Sequence, residues 1–296
     1  MKKLIIVTLC LLLLAGCAAP AVYDGPTESA WVLTEQATTF YNPVTGKTQT
    51  MVWNYSYDGF GNAVQTHTYT DGEPEVEMVD TYDDRGNLTR EVTRQQFWFF
   101  SYPISRTART YDGQHRPLTI PYRSGLGAKT GSVTYTYDDE AGTVTSESPI
   151  ETQTKYLGEN GEILRIVTLS NGAEIETVYE YDELGRDIRS TRYDDGVLAA
   201  IHETSYDDQG RVLESTFRDA GGEILTHITY LYEGNTVTTR DEAGNWSKET
   251  LRPDGQVETR ENYGADGKLL SRTEYTYTEI QVPAKEECTM LELIDI

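Results

Sequence analysis

The chain repeats a short motif at a fixed spacing, and this repeat constrains the fold more than any other feature. The motif reads Tyr-Asp-x-x-Gly-Asn at 57–62 and 82–87, and Tyr-Asp-x-x-Gly-Arg at 181–186 and 206–211. Weaker copies begin at residues 111, 137, 193, 232 and 263. The first two copies are 25 residues apart, as are the copies at 181 and 206. A period of this size predicts a stack of one repeated supersecondary unit.

Each motif carries the residues of a tight turn between two strands. The Asp side chain can hydrogen-bond the turn backbone, and the Gly supplies a left-handed conformation. Second turns such as 193–196 and 219–222 divide the units, so turns recur every 12 or 13 residues. The segments between them alternate and are rich in Thr, Val, Ile and Tyr, which is typical of half-buried strands. We therefore expect an all-β fold, an antiparallel hairpin meander that forms a twisted, curled, solenoid-like sheet.

The repeat resembles that of the Rhs/YD-repeat family, on the motifs quoted above and over about residues 57–277. Two copies depart from the family pattern: His115 replaces Gly in 111–116, and one residue is inserted in 137–142. Large members of the family wind such hairpins into a shell around a toxin. This shorter chain is more similar to the isolated bacterial YD-repeat lipoproteins, and that resemblance implies carbohydrate binding by analogy.

The N-terminus has the features of a bacterial lipoprotein leader. Lys2 and Lys3 precede an apolar run over 4–15 that is short for a transmembrane span. The sequence Leu-Ala-Gly-Cys at 14–17 resembles a lipobox, so we expect residues 1–16 to be a signal peptide and Cys17 to carry the lipid. The alternative is an ordinary signal peptide in which Cys17 is incidental. The lipoprotein interpretation places the protein in the cell envelope, anchored outside the cytoplasm to the cell membrane or the outer membrane.

The rest of the chain divides into three parts. Residues 17–30 have the composition of a lipid-anchored tether, residues 31–279 form the repeat domain, and residues 280–296 break the pattern as a last strand or a tail. Without Lys2 and Lys3, 23 basic residues remain against 48 acidic ones, a net charge of −25. This charge argues against nucleic acid as a partner. Beyond the leader and Cys17 only Cys288 remains, so the mature chain has no internal disulfide.

The sequence shows no recognisable catalytic constellation. We therefore predict a non-enzymatic protein that uses no cofactor and no metal. His202 and His227 are one repeat apart, which suggests either a metal pair or the reuse of one residue type by a repeat. The Asp-Asp turns at 83–84 and 207–208 suggest calcium, but turn capping by Asp explains them without a metal.

One segment departs from the rest of the repeat. The interval from Tyr82 to Tyr111 grows to 29 residues, and three of the six phenylalanines lie within 97–100. Residues 94–130 contain six basic side chains and one acidic one, a local net charge of +5. Aromatic faces and arginine forks are groups that bind carbohydrates and peptides. The candidate ligand-binding residues are Trp98, Phe99, Tyr102, Arg106, Arg109, Arg116 and Arg123.

Two interpretations of this segment stay open. Either it is a ligand-binding patch, or its aromatic residues fill the inside of a curled sheet while its arginines pair with acids of neighbouring repeats. Two function classes follow. The favoured one is a surface-exposed binding module, with carbohydrate as the expected ligand. The alternative is a structural or interaction scaffold that holds a partner protein by its sheet edge or face. The expected partners are thus the membrane, through the lipid anchor, and a glycan or a surface protein.

Overall fold

The computed structural model describes residues 27–97, 100–124 and 129–283, and these residues form β-strands and turns without a helix. The strands are β1 Thr27–Tyr41, β2 Thr48–Tyr57, β3 Ala63–Thr70, β4 Glu73–Tyr82, β5 Leu88–Phe97, β6 Phe100–Ala108, β7 Thr110–Tyr111, β8 Pro117–Ser124, β9 Lys129–Asp138, β10 Thr143–Glu147, β11 Glu151–Leu157, β12 Ile163–Ser170, β13 Ala173–Tyr181, β14 Asp187–Asp194, β15 Val197–Tyr206, β16 Val212–Asp219, β17 Ile224–Glu233, β18 Thr236–Asp241, β19 Trp246–Leu251, β20 Val257–Tyr263 and β21 Leu269–Pro283.

The strands form one antiparallel sheet in which chain neighbours pair with each other. At one place the order is interrupted, because β6 pairs with both β5 and β8 while the two-residue β7 also pairs with β8. The sheet closes where β1 pairs with β21. The predicted all-β antiparallel meander is confirmed. What the sequence suggested as a curled, solenoid-like sheet is a closed, barrel-like one, since its first and last described strands are hydrogen-bonded.

The closing strands β1 and β21 are longer than the others, with 15 residues each. They pair from Thr27 and Pro283 to Phe40 and Ser271, whereas β2 pairs only with residues 35–41 of β1. The outer halves of β1 and β21 therefore extend as a two-stranded ribbon beyond one end of the sheet. β1 begins inside the segment predicted as a tether (17–30), and β21 continues to residue 283 of the predicted tail (280–296). Cys17 lies outside the described residues.

The two faces of the sheet differ in composition. Strand pairing places the tyrosines that begin the four main copies of the motif on one face, which we call the tyrosine face. Cross-strand ion pairs such as Arg218–Glu203 and Arg272–Glu261 lie on the other, the charged face. Burial raises the pKa of Tyr82 to about 12. Because several other tyrosines on the same face are also desolvated, we infer that the tyrosine face lines the inside of the closed sheet.

The sheet has little apolar core. Val92 and Ala200 are its buried hydrophobic residues among those described, while Thr38, Thr191, Thr216, Ser271 and Thr273 are buried polar ones. The hydroxyls of Thr38 and Thr273 meet at 2.9 Å across the β1–β21 closure. Stability therefore depends on strand pairing and on the turns more than on a packed interior, because a single sheet buries little apolar surface.

Candidate functional site

The turns at one end of the sheet repeat a single hydrogen-bonded unit. In the turn 182–186, Asp182 Oδ1 accepts the backbone N–H groups of Leu184 and Arg186, and Asp182 Oδ2 accepts Arg186 Nε–H at 2.6 Å. The backbone N–H and the guanidinium of Arg186 lower the pKa of the Asp182 carboxyl. Gly185 has a φ of 76°, which requires the conformational freedom of glycine. The same unit recurs in the turns 83–87, 112–116 and 207–211, and we call this end of the sheet the YD rim.

A tyrosine hydroxyl ties each unit to the strand that follows the preceding turn. Tyr181 Oη donates to the carbonyl of Ile163 at 2.7 Å, and Tyr82 Oη donates to that of Ala63 at 3.0 Å. The same bond is made by Tyr57, Tyr111, Tyr137, Tyr206 and Tyr277. This bond gives a physical reason for tyrosine, rather than phenylalanine, at the start of the motif.

An arginine at the end of the motif connects consecutive turns. The guanidinium of Arg186 lies over the ring of Tyr206, with its Cζ 4.6 Å from the ring centre, and Arg211 lies over Tyr232 at 4.3 Å. Such cation–π contacts add to the ion pair that each arginine makes with the Asp of its own turn. The aspartates of the motif therefore act as turn caps. No group of three or more His, Cys, Asp or Glu within the described ranges is placed to hold a metal ion.

The two histidines that are one repeat apart lie on opposite faces. His202 bonds Ser215 and stands opposite Phe217, whereas His227 stands opposite Thr216 and bonds its hydroxyl. Successive residues of a strand point to opposite faces, so residues 216 and 217 of β16 separate the two imidazoles. His202 and His227 therefore do not form a metal pair.

The predicted ligand-binding residues occupy several places. Trp98 and Phe99 lie outside the described residues, but β5 and β6 run up to them and pair at Phe97 and Phe100. This hairpin tip is at the rim opposite the YD rim. Tyr102 pairs with Gln95 and is 41% exposed.

A β-bulge separates Tyr102 from Arg106. The residues are four apart, and in a regular strand they would share a face. The register of β5 and β6 shifts between Thr93 and Arg94, which leaves one extra residue on β6. Tyr102 consequently lies on the tyrosine face, and Arg106, opposite Val92, is exposed on the charged face.

The remaining predicted arginines also lie apart from one another. Arg116 belongs to the turn 112–116, where it pairs with Asp112 and Asp139 and lies 4.2 Å over Tyr137. This arrangement matches the interpretation in which the arginines pair with acidic neighbours. Arg109 follows β6, and its Nη2 lies 4.0 Å from Glu91 Oε2 on the tyrosine face. The candidate residues are thus distributed over both faces and both rims.

The charged face nevertheless carries a concentration of arginines on β5, β6 and β8. We call Arg90, Arg94, Arg106 and Arg123 the arginine patch. Arg94 pairs with Glu77 of β4 at 3.1 Å. Arg106 stands opposite Arg123, and Arg90 stands opposite Ala108. Elsewhere on this face, Arg165 pairs with Glu176 and Arg218 with Glu203. Within the patch, therefore, Arg94 has an acidic cross-strand partner, whereas the β5–β6 and β6–β8 partners of Arg90 and Arg106 are neutral or of like charge.

A second group of charged residues lies on the tyrosine face of the same strands. Asp80, Glu91 and Thr107 form one row across β4, β5 and β6, with Arg109 beside them. Burial raises the pKa of Asp80 to about 6, and the neighbouring Glu91 adds to this effect while Arg109 opposes it. Within the described part of the chain, Asp80 Oδ1, Thr107 Oγ1 and Arg109 Nε are buried without a hydrogen-bond partner.

The sequence did not predict Arg90 as a member of the patch, nor the row formed by Asp80, Glu91 and Thr107. Arg90 precedes the segment of reversed charge, yet the alternation Arg90-x-Val92-x-Arg94 indicates that it shares a face with Arg94. No sequence signal pairs Asp80 with Glu91, because their proximity depends on the strand register.

Comparisons with known proteins give a likeness of shape without a sequence relative. No family model matches the chain, and no curated protein sequence matches it. A porin-like protein from Bacteroides uniformis has a TM-score of 0.41 and 11% identity over 86% of this chain and 100% of that one. The complex TcdB2-TccC3-Cdc42 has a TM-score of 0.37 and 13% identity over 84% of this chain. The alignment covers 18% of the chain in that complex.

None of the segments that the structure describes forms a helix with the length and hydrophobicity of a membrane span.

Proposed function

We propose that this protein is a non-enzymatic, lipid-anchored binding module of the cell envelope, related to the short YD-repeat lipoproteins, that holds an acidic glycan on its arginine patch. The carrying observation is the register that sets Arg106 opposite Arg123 on a face where other arginines meet a glutamate. Like charges directly opposite one another destabilise a sheet. A carboxylate or sulfate bound at this position offsets that repulsion, and Arg106 can hold it through charge-assisted hydrogen bonds.

The charge distribution supports an anionic ligand. The mature chain has a net charge of −25, whereas residues 94–130 carry +5. An acidic polymer is therefore repelled by most of the surface and attracted at one place. β5, β6 and β8 contribute no acidic residue to the charged face there, and the acidic partner of Arg94, Glu77, belongs to β4.

The position of the ribbon supports a site directed away from the membrane. β1 and β21 extend beyond the YD rim, so a tether attached to β1 leaves from that end. The hairpin of β5 and β6 points to the opposite rim. With Cys17 in a lipid bilayer, the rim toward which β5 and β6 run is the one directed away from the membrane, where an envelope glycan is accessible.

The test uses the soluble form that lacks residues 1–17 and a sulfated polysaccharide together with its desulfated form. We expect the sulfated polymer to bind and Arg106→Ala to weaken that binding by about tenfold or more, as loss of a charged contact does. Arg218→Ala is the matched control, because it removes a charged-face arginine that has Glu203 as its partner. Equal binding of the desulfated polymer, or unchanged affinity of Arg106→Ala, would contradict the proposal.

A second candidate function is a scaffold that holds a partner protein by a sheet edge. The observation that favours it is the ribbon, where residues 27–33 of β1 pair with β21 on one side while the pairing with β2 begins at Glu35. An unpaired strand edge can accept a strand from another chain. Deletion of residues 18–33 would abolish capture of such a partner and leave the arginine patch in place.

A further inference from the structure

An open cavity of about 400 Å³ lies between two neighbouring turns of the YD rim, 83–87 and 112–116. Its wall is polar, and the residues used below are Asp84, Arg85, Asn87, Arg109, Thr110 and Tyr111. It lies apart from the charged-face surface of the arginine patch, and the inference drawn from it does not rest on the proposed function.

This pair of turns lacks the arginine that joins other turns. In the turns 182–186 and 207–211, Arg186 crosses to Tyr206, and its Nη1 lies 3.6 Å from the position that a Cβ on Gly210 would take. In the turns around the cavity, Asn87 takes the place of the arginine. Its short side chain stays with its own turn, where Nδ2 donates to Asp83 Oδ2 at 2.9 Å. The space that a guanidinium fills elsewhere is therefore open.

The second turn, 112–116, differs from the other turns at His115. It takes the place of the motif glycine with a φ of 66°, which is uncommon for a residue other than glycine. Its Nδ1 lies 3.1 Å from Nδ2 of Asn87. A long arginine facing a glycine is thus replaced by a short asparagine facing a histidine. The His115–Asn87 contact bridges the two turns at one side and leaves the cavity open beside it.

We propose that this cavity is a binding subsite for a neutral sugar ring. The carboxylates of Asp83 and Asp112 are engaged by their own turns. The other charged groups of the wall are Asp84, Arg85 and Arg109, of which Arg109 also lies 4.0 Å from Glu91 through its Nη2. One carboxylate with two guanidinium groups, next to the Thr110 hydroxyl, offers paired acceptors and donors for adjacent hydroxyl groups.

Two further observations favour a hydroxylated ligand. Arg109 Nε is buried without a hydrogen-bond partner in the described residues, and such groups call for a ligand or an ordered water. Tyr111 contributes an aromatic ring to the wall, and ligand sites commonly combine such rings with a few polar groups. A neutral ring also distinguishes this subsite from the arginine patch, which selects anions.

The test rebuilds the closed arrangement that the chain itself uses elsewhere. In Asn87→Arg combined with His115→Gly, the new arginine should pair with Asp83, lie over Tyr111 and fill the cavity. Asn62→Arg is the matched control, because it makes the same change in the turn 58–62, where Gly86 of the next turn has open space around it. Glucose, galactose, mannose and N-acetylglucosamine are titrated separately into the isotope-labelled soluble protein, and amide shifts at Asn87 and Thr110 are followed by NMR.

We expect saturable shifts with at least one of the four sugars, a loss of affinity of about tenfold or more in the double variant, and no loss in Asn62→Arg. Arg109→Lys is a second variant. It keeps the positive charge but removes the paired N–H donors of the guanidinium, so it should weaken sugar binding while leaving the sulfated polymer bound. Absence of saturable shifts with all four sugars, or equal sugar affinity in the double variant and the native protein, would overturn the inference.

Discussion

The hydroxyl oxygen of Tyr181 lies 2.7 Å from the carbonyl oxygen of Ile163, on the preceding strand of the chain. Ile163 begins β12, the strand that follows the preceding turn of the YD rim. The tyrosine therefore connects consecutive repeats through a polar bond, in a sheet with few buried apolar side chains. Such bonds take over part of the role that a hydrophobic core has in other folds.

Removal of this hydroxyl should lower stability. Tyr181→Phe leaves the Ile163 carbonyl without its partner, and we expect the free energy of unfolding to fall by about 1 kcal/mol, the usual net worth of one hydrogen bond. Urea unfolding followed by circular dichroism measures the change. Tyr193→Phe is the control, because no hydrogen bond of its hydroxyl is described, and its effect should stay within about 0.5 kcal/mol. Equal effects of the two variants would refute the structural role of the bond.

The first aspartate of an Asp-Asp turn should matter far more than the second. Asp83 accepts the backbone N–H groups of Arg85 and Asn87 as well as the Asn87 side chain. Asp83→Ala should therefore lower the free energy of unfolding by about 1–2 kcal/mol. Asp84 is exposed, and Asp84→Ala should change it by less than about 0.5 kcal/mol. If calcium holds these turns instead, a chelator will destabilise the native protein, and both variants will lower its calcium affinity.

The Asp80 carboxyl should make stability depend on pH. Burial, with Glu91 adding to it, raises the pKa of Asp80 from 3.8 to about 6 in the folded protein. The folded state then binds a proton that the unfolded state releases, so this contribution is complete below about pH 4 and is lost as the pH rises through about 6. Because the site is partly open to water, we expect about 1 kcal/mol or less.

The measurement compares Asp80→Asn with the native protein by urea unfolding at about pH 4.5 and pH 7.5. The variant should gain stability relative to the native protein at the higher pH. Asp84→Asn removes one exposed negative charge and controls for the general repulsion in this acidic chain. A gain that is equal at the two pH values, or equal in the two variants, would disprove the titration of Asp80.

The lipid anchor is tested in the full-length chain. Cys17→Ser should abolish lipid labelling and release the protein from the membrane fraction after lysis without detergent, because a single acylated cysteine is the expected attachment. Cys288→Ser should leave labelling and fractionation unchanged. Continued lipid labelling of the Cys17→Ser protein would rule out this attachment.

The local features of the fold could be predicted from the motif, since each depends on a few adjacent residues. Tight turns at Asp182 and Asp207, strands between them and capping by Asp are all confirmed. The hydroxyl bond of Tyr181 to Ile163 and the stacking of Arg186 on Tyr206 were not predicted. They join neighbouring repeats, and the periodicity alone gives no distances between them.

The composition of the candidate patch could not be predicted, because it depends on strand register. Tyr102 and Arg106 have the even spacing of residues that share a face, and one bulge on β6 places them on opposite faces. Arg106 and Arg109 are separated by an odd interval and also lie on different faces. The closure of the sheet could not be predicted from the sequence either, because it pairs residues as distant as Thr38 and Thr273, which are 235 positions apart.

The β1–β21 pairing has a consequence for the order of folding. Its two strands come from the beginning and the end of the described chain, with side-chain bonds such as Thr27 to Gln281 at separation 254. Contacts this distant are slow to form, while each hairpin between them can form locally. During synthesis the sheet therefore remains open along one edge of β1 until β21, its last described strand, is available to pair with it.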